Sequence, residues 1–174
     1  LDVKSREGFG TSFFIYLPAS GLPPASMETE KEIAVSGVRF KILLMDDEEK
    51  ILNAVGEMLN YSYGYKVVLV TDGAKAIELY KQAKESGEPF DVVIMDLTVP
   101  GGMGGQEAIA HLRDYDPNIK AIVSSGYANN PVIADYERYG FCGVVSKPYK
   151  IDELNEVLHK VINPAQLPLK LSFE

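Results

Sequence analysis

The chain has 174 residues, 46% hydrophobic and 24% charged, a balance that supports one well-cored domain plus extensions. A formal net charge of -8 excludes a broad nucleic-acid surface, because phosphate contacts need clustered lysine and arginine. The single cysteine, Cys142, excludes an internal disulfide, and no apolar run reaches membrane-spanning length. A reducing cytosolic setting fits this cysteine usage. Cys142 lies just before an apolar run and is expected to be a buried structural thiol. The chain opens at Leu1 without a signal-peptide pattern and reads as a fragment, with any membrane anchor elsewhere in the parent.

Residues 1–20 carry Glu7-Gly-Phe-Gly10-Thr11 and then the run Phe13 to Pro18. This reads as a glycine turn feeding a strand that proline stops, with its sheet partners elsewhere. Residues 21–37 hold Pro23, Pro24, Ser26 and Ser36 among several charges, which is linker composition. From 38 to 163, apolar β-type runs at 40–45, 66–70, 91–96, 119–124 and 143–146 alternate with helical stretches. The stretch 48–60 places Ile51, Val55, Met58 and Leu59 on one face, and 151–162 does the same with Ile151, Leu154, Leu158 and Val161. Asp72-Gly73, Gly104-Gly105 and Asn130-Pro131 open the helices between, the last a short one. Five β–α units predict an α/β fold with a mostly parallel sheet covered by helices on both faces. Residues 164–174 contain Pro164 and Pro168 and read as a loosely attached tail.

The chemistry collects where these strands end. Asp46 and Asp47 end the first run, Asp96 the third, Ser124-Ser125 the fourth and Lys147-Pro148 the fifth. In a parallel sheet all of them converge on the carboxyl edge, where open α/β sheets place their sites. Each has a plain alternative: helix capping for the aspartates, a polar strand end for the serines, an exposed lysine before a turn. Together, three carboxylates would repel one another without a cation, and Mg²⁺ prefers such oxygen ligands. Lys147 can pair with a carboxylate or a phosphoryl oxygen. The bond before Pro148 is a cis-peptide candidate that would aim the lysine inward. His111 and His159 have no ligand partners nearby and read as structural or surface residues. The chain lacks a Walker loop and a Gly-x-Gly-x-x-Gly turn, which disfavours nucleotide binding within 38–163.

From Val38 to Asn163 the ordered set resembles the response-regulator receiver domain of two-component signalling: Asp46-Asp47, Asp96 with Pro100 following, Ser125-Gly126, and Lys147-Pro148-Tyr149. The resemblance implies a flavodoxin-like (βα)5 fold with strand order 2-1-3-4-5. It implies Asp96 as phosphoacceptor, with Mg²⁺ held by Asp46, Asp47, Asp96 and the backbone carbonyl of Thr98. Lys147 would contact the phosphoryl group and Ser125 would be the switch hydroxyl. A domain of this type catalyses its own aspartyl phosphorylation and dephosphorylation, with a histidine-kinase or histidine-phosphotransfer domain as donor. The chain departs from the pattern at Val144, where the family often has an aromatic switch residue. It departs again at the glycine-rich loop Pro100–Gly105, one residue longer than the commonest form and expected to be more mobile. A non-phosphorylated docking module stays open beside the phosphoacceptor reading, whereas a haloacid-dehalogenase-type phosphatase would need Asp-x-Asp-x-Thr where Asp46-Asp-Glu stands.

Gly8-Phe-Gly10-Thr11 and the following apolar run resemble the last glycine box and final strand of a histidine-kinase ATP-binding domain. Together the two resemblances imply the C-terminal end of a hybrid sensor histidine kinase, without the ATP site itself. The segment itself is expected to touch neither nucleic acid nor membrane.

Overall fold

The computed structural model describes residues 2–16, 39–126 and 130–164. The linker expected at 21–37 and the tail beyond 164 lie outside them. The described residues fall into two separate units, one within Leu1–Ala34 and one within Val35–Glu174.

The first unit is an antiparallel hairpin of β1 (Asp2–Arg6) and β2 (Gly10–Phe14). Gly8 and Gly10 turn the chain at φ values of 78° and 92°, a region L side chains rarely enter. The strand therefore covers residues 10–14, earlier than the apolar run 13–17 predicts, and it pairs with a strand the sequence reading did not assign. Every residue of both strands is exposed, including Phe13.

The second unit is a five-stranded parallel sheet. Its strands are β3 (Lys41–Met45), β4 (Lys66–Val70), β5 (Val92–Asp96), β6 (Ala121–Ser125) and β7 (Gly143–Ser146). They lie in the order β4-β3-β5-β6-β7, which is 2-1-3-4-5 when the strands of this unit are counted alone. The helices are α1 (Glu49–Tyr63), α2 (Gly73–Glu85), α3 (Gly105–Tyr115), α4 (Pro131–Ala134) and α5 (Ile151–Ile162). Strand alternation sorts the core into two halves. Ile42, Leu44, Ile94 and Ile122 pack with Leu52, Val55 and Leu59 of α1 and Leu154 and Leu158 of α5. Leu43, Met45, Val93, Met95 and Val123 pack with Ala76 and Tyr80 of α2 and Ile109 and Leu112 of α3.

Local signals explain the element boundaries. Asp72 caps α2 by accepting from the Ala74 and Lys75 amides, and Asn130 caps α4 through the Val132 amide. α1 ends at Gly64 in the left-handed region, with its amide returned to Asn60 and Leu59. Two core assignments change. The inward face of α1 is Leu52, Val55, Gly56 and Leu59, while Met58 is 42% exposed. Cys142 is exposed rather than buried. It precedes the edge strand β7, where alternation gives the inward position to Phe141 instead. His159 is structural, as expected: its ring nitrogen lies 3.0 Å from the Tyr65 hydroxyl and its ring meets Phe40 edge-on.

Asp116 closes the α3–β6 turn. Its carboxylate accepts from the buried Tyr80 hydroxyl at 2.8 Å and from the Asn118 amide, and it pairs with Lys84. Lys84 holds the Asp116 carboxyl below its ordinary value, with help from Tyr80 and Asn118 and against the effect of burial. A depressed carboxyl stabilises the fold above its unfolded value and loses that contribution as pH falls through the folded one. Asp116→Asn is therefore expected to cost about 1 kcal/mol at neutral pH, kept small by the exposed Lys84 partner. The gap from the wild type should start to narrow as pH falls past about 3.9, where the unfolded carboxyl titrates, and close only below the depressed folded value. Urea midpoints at the two pH values check this, and an undiminished gap in acid would contradict it.

Candidate functional site

Asp46 is the first residue past β3, and its amide is fixed by the Val70 carbonyl at 3.1 Å. Asp96 is the last residue of β5, so adjacent parallel strands bring both to one edge. Asp46, Asp47 and Asp96 each present a carboxylate oxygen within 4.8 Å of the others; Asp46 and Asp96 are buried and Asp47 is exposed. Lys147, just past β7, reaches back over that edge. Its Nζ donates to Asp96 Oδ2 at 2.8 Å and stands 2.6 Å from Asp46 Oδ2. The Lys147–Pro148 peptide is cis. Asp96 Oδ1 accepts a long bond from the Thr98 amide at 3.4 Å, and Asp46 Oδ1 accepts from the Glu48 amide at 3.0 Å.

One ammonium does not satisfy this set. Asp46 Oδ2 is wholly buried, and no donor is aligned on it as a hydrogen bond; the Lys147 contact is ionic proximity alone. Three carboxylates against one ammonium leave two negative charges unbalanced, the deficit one divalent cation fills. The acid–base behaviour agrees. Burial pushes the Asp96 carboxyl above its ordinary value, the Asp46 charge adds to that, and pairing with Lys147 only partly offsets it. Burial acts to lower Lys147, but pairing with Asp46 and Asp96 outweighs it and holds the ammonium above its ordinary value.

The loop after Asp96 is fitted closely. A Cβ at Gly105 would lie 2.7 Å from the Asp96 carbonyl oxygen, and one at Gly73 would lie 2.7 Å from that of Met103. Asp72 ties the loop to α2 by accepting the Met103 amide at 3.0 Å, and the Gly73 amide donates to the Met103 carbonyl at 2.9 Å. At Gly73 and Gly105 close backbone approach leaves no room for a side chain.

Ser125 ends β6, is 6% exposed and pairs in the ladder with Ser146. Its neighbour Ser124 is fully buried, lies directly opposite Asp96, and shares a 2.6 Å hydrogen bond with the Tyr149 hydroxyl. Burial pushes that tyrosine up to about 12. In the sequence Ser124 is only one of two serines at the end of the fourth run; the partner that distinguishes it arrives after the Lys147–Pro148 turn. Val144 is partly buried and, like Ile133, Tyr136 and Tyr139, packs on the α2/α3 half of the core.

Residues 42–159, more than half of the chain, match the family profile of the response regulator receiver domain. The chain belongs to this family. Chemotaxis protein CheY of Thermotoga maritima is 30% identical over 122 residues, 70% of this chain and 96% of that protein. Sensor kinase CckA of Brucella abortus is 30% identical over 167 residues, 91% of this chain but only 17% of the kinase. Among solved structures, the receiver domain of sensor histidine kinase PA1611 from Pseudomonas aeruginosa PAO1 superposes with a TM-score of 0.61 at 25% identity, over 72% of this chain and 98% of that one. That structure holds a magnesium ion in its active-site cleft. The five-stranded receiver fold and phosphoryl-accepting two-component signalling follow from membership. Receiver domains take their phosphoryl groups from histidine kinases or phosphotransfer proteins. Among the described residues no helix is long and apolar enough to cross a membrane.

Proposed function

We propose that the receiver unit, residues 38–163, accepts a phosphoryl group from a phosphohistidine onto the Asp96 carboxylate. The observation that carries this reading is the shared ammonium: Lys147 bridges buried Asp46 and Asp96 with Asp47 alongside, leaving a charge deficit and an unaligned buried oxygen. Asp46, Asp47, Asp96 and the Thr98 carbonyl would hold Mg²⁺, which supplies positive charge against the phosphoryl oxygens. An Asp96 oxygen bonds to phosphorus as the phosphorus–nitrogen bond to the donor imidazole breaks in line. Lys147 keeps its positive charge facing the transferred group, and the Ser125 hydroxyl closes on it afterwards. Water later cleaves the acyl phosphate to inorganic phosphate and the free carboxylate. The expected result is labelling by a small acyl-phosphate donor that Mg²⁺ permits and a chelator abolishes. A folded chain that never labels would favour the docking-module reading.

We further read residues 1–20 as the closing strands of a sensor histidine kinase ATP-binding domain, joined through 21–37, with the tail at 164–174. The alignment to CckA supports this, since it covers 91% of the chain and so runs well past the matched 42–159. The hairpin supports it too: two strands with Phe13 68% exposed, joined by a turn that leaves Phe9 78% exposed, need more sheet to be stable. The parent would be a cytoplasmically facing phosphotransferase. Hydrogen exchange at 2–16 should be fast in this chain and at least tenfold slower in a chain carrying a complete ATP-binding domain. Equal rates would remove this assignment.

A further inference from the structure

Lys147 can hold two carboxylates at once only if its turn is fixed relative to β5. Two links do this. The Lys147 amide donates to the Ser125 carbonyl at 3.0 Å, which continues the β6–β7 ladder by one residue. The second runs through side chains. Tyr149, two residues past Lys147, bonds through its hydroxyl to Ser124 Oγ at 2.6 Å. The Ser124 carbonyl in turn accepts the Leu97 amide at 3.0 Å, next to Asp96. The contacts form a closed ring: Lys147 to Asp96 by ammonium and carboxylate, Leu97 to Ser124 by backbone, Ser124 to Tyr149 by hydroxyls, and Tyr149 back to Lys147 along the chain.

We infer that Tyr149 and Ser124 are positioning residues for phosphoryl transfer, their hydroxyl pair holding the Lys147 ammonium between Asp46 and Asp96. The inference rests on the phosphoacceptor reading above. The Tyr149 ring packs on the α1/α5 half of the core, so packing alone anchors the ring while the hydroxyl sets the reach of the turn. Neither hydroxyl touches the transferred group; both act through Lys147.

The test separates positioning from stability. Tyr149→Phe leaves Ser124 Oγ buried without this partner, and so is expected to lower both thermal midpoint and labelling rate. Tyr149→Phe with Ser124→Ala removes both hydroxyls. That double variant should regain most of the midpoint, because a matched apolar pair carries no orphaned group. Its labelling rate at saturating Mg²⁺ and saturating acyl-phosphate donor should nonetheless stay about tenfold below wild type, with the donor concentration for half-maximal rate unchanged. A second readout needs no chemistry. In ¹⁵N-lysine-labelled full chain, the Lys147 ammonium, assigned by its loss in Lys147→Arg, should give a resolved proton-coupled signal in the wild type and lose it in the double variant. A double variant with wild-type rate and a retained ammonium signal would overturn the inference and make the pair purely structural. An unlabelled wild type would contradict the phosphoacceptor reading instead, and the ammonium signal would still decide what holds Lys147.

Discussion

Asp96→Asn is expected to abolish labelling by acyl-phosphate donors while changing stability by no more than about 1 kcal/mol. Asparagine has nearly the same shape and keeps an oxygen for the Thr98 amide, so the β5 end retains its local bond. It removes one of three crowded carboxylates, which relieves repulsion with Asp46, and it leaves Lys147 its contact at 2.6 Å with Asp46. The proposed nucleophilic oxygen is then gone, while Asp46 is wholly buried beneath the lysine and Asp47 lies at the exposed rim. Intact-mass analysis of the variant beside the wild type reads this directly. A phosphorylated Asp96→Asn would mean that another residue is the acceptor.

Lys147→Ala should have the largest effect on the fold. It strips the only ion-pair partner recorded for Asp46 and Asp96 among the described residues and leaves two buried carboxylates facing each other. Losing one partner of a fully buried pair costs about 3–5 kcal/mol, and the open Asp47 side of this site brings the expected cost to about 2–3 kcal/mol. The raised Asp96 carboxyl limits the damage, because the group protonates more readily than an ordinary aspartate. Millimolar Mg²⁺ should recover more thermal stability in the variant than in the wild type, since the cation then answers a larger charge deficit. Mg²⁺ affinity should be at least that of the wild type, and labelling should fall far more than affinity. A variant as stable as the wild type without Mg²⁺, or one with no Mg²⁺ site, would contradict the bridging role.

The acidic edge was legible before any coordinates because strand ends in a parallel sheet fall together. Once the runs ending at Asp46, Asp96, Ser125 and Lys147 are read as strands, convergence needs no further information. Capping residues fixed the starts of α2 and α4 for similarly local reasons. What failed depended on packing that local pattern does not encode. Gly56, not Met58, faces the sheet, because a Cβ there would come within 3.1 Å of Leu69 and the helix lies that close to β4. The exposure of Cys142 follows from β7 being the sheet edge. The Ser124–Tyr149 bond joins residues 25 apart across a turn, and nothing in Ser-Ser itself says which hydroxyl turns toward the core.

The most direct test of the central claim is the intact mass of the whole chain after incubation with a small acyl-phosphate donor, with Mg²⁺ and with chelator. The site geometry predicts one added phosphoryl group with Mg²⁺ and none with chelator, mapped to the peptide containing Asp96. A folded chain that gains nothing with Mg²⁺, or gains as much with chelator, would contradict it.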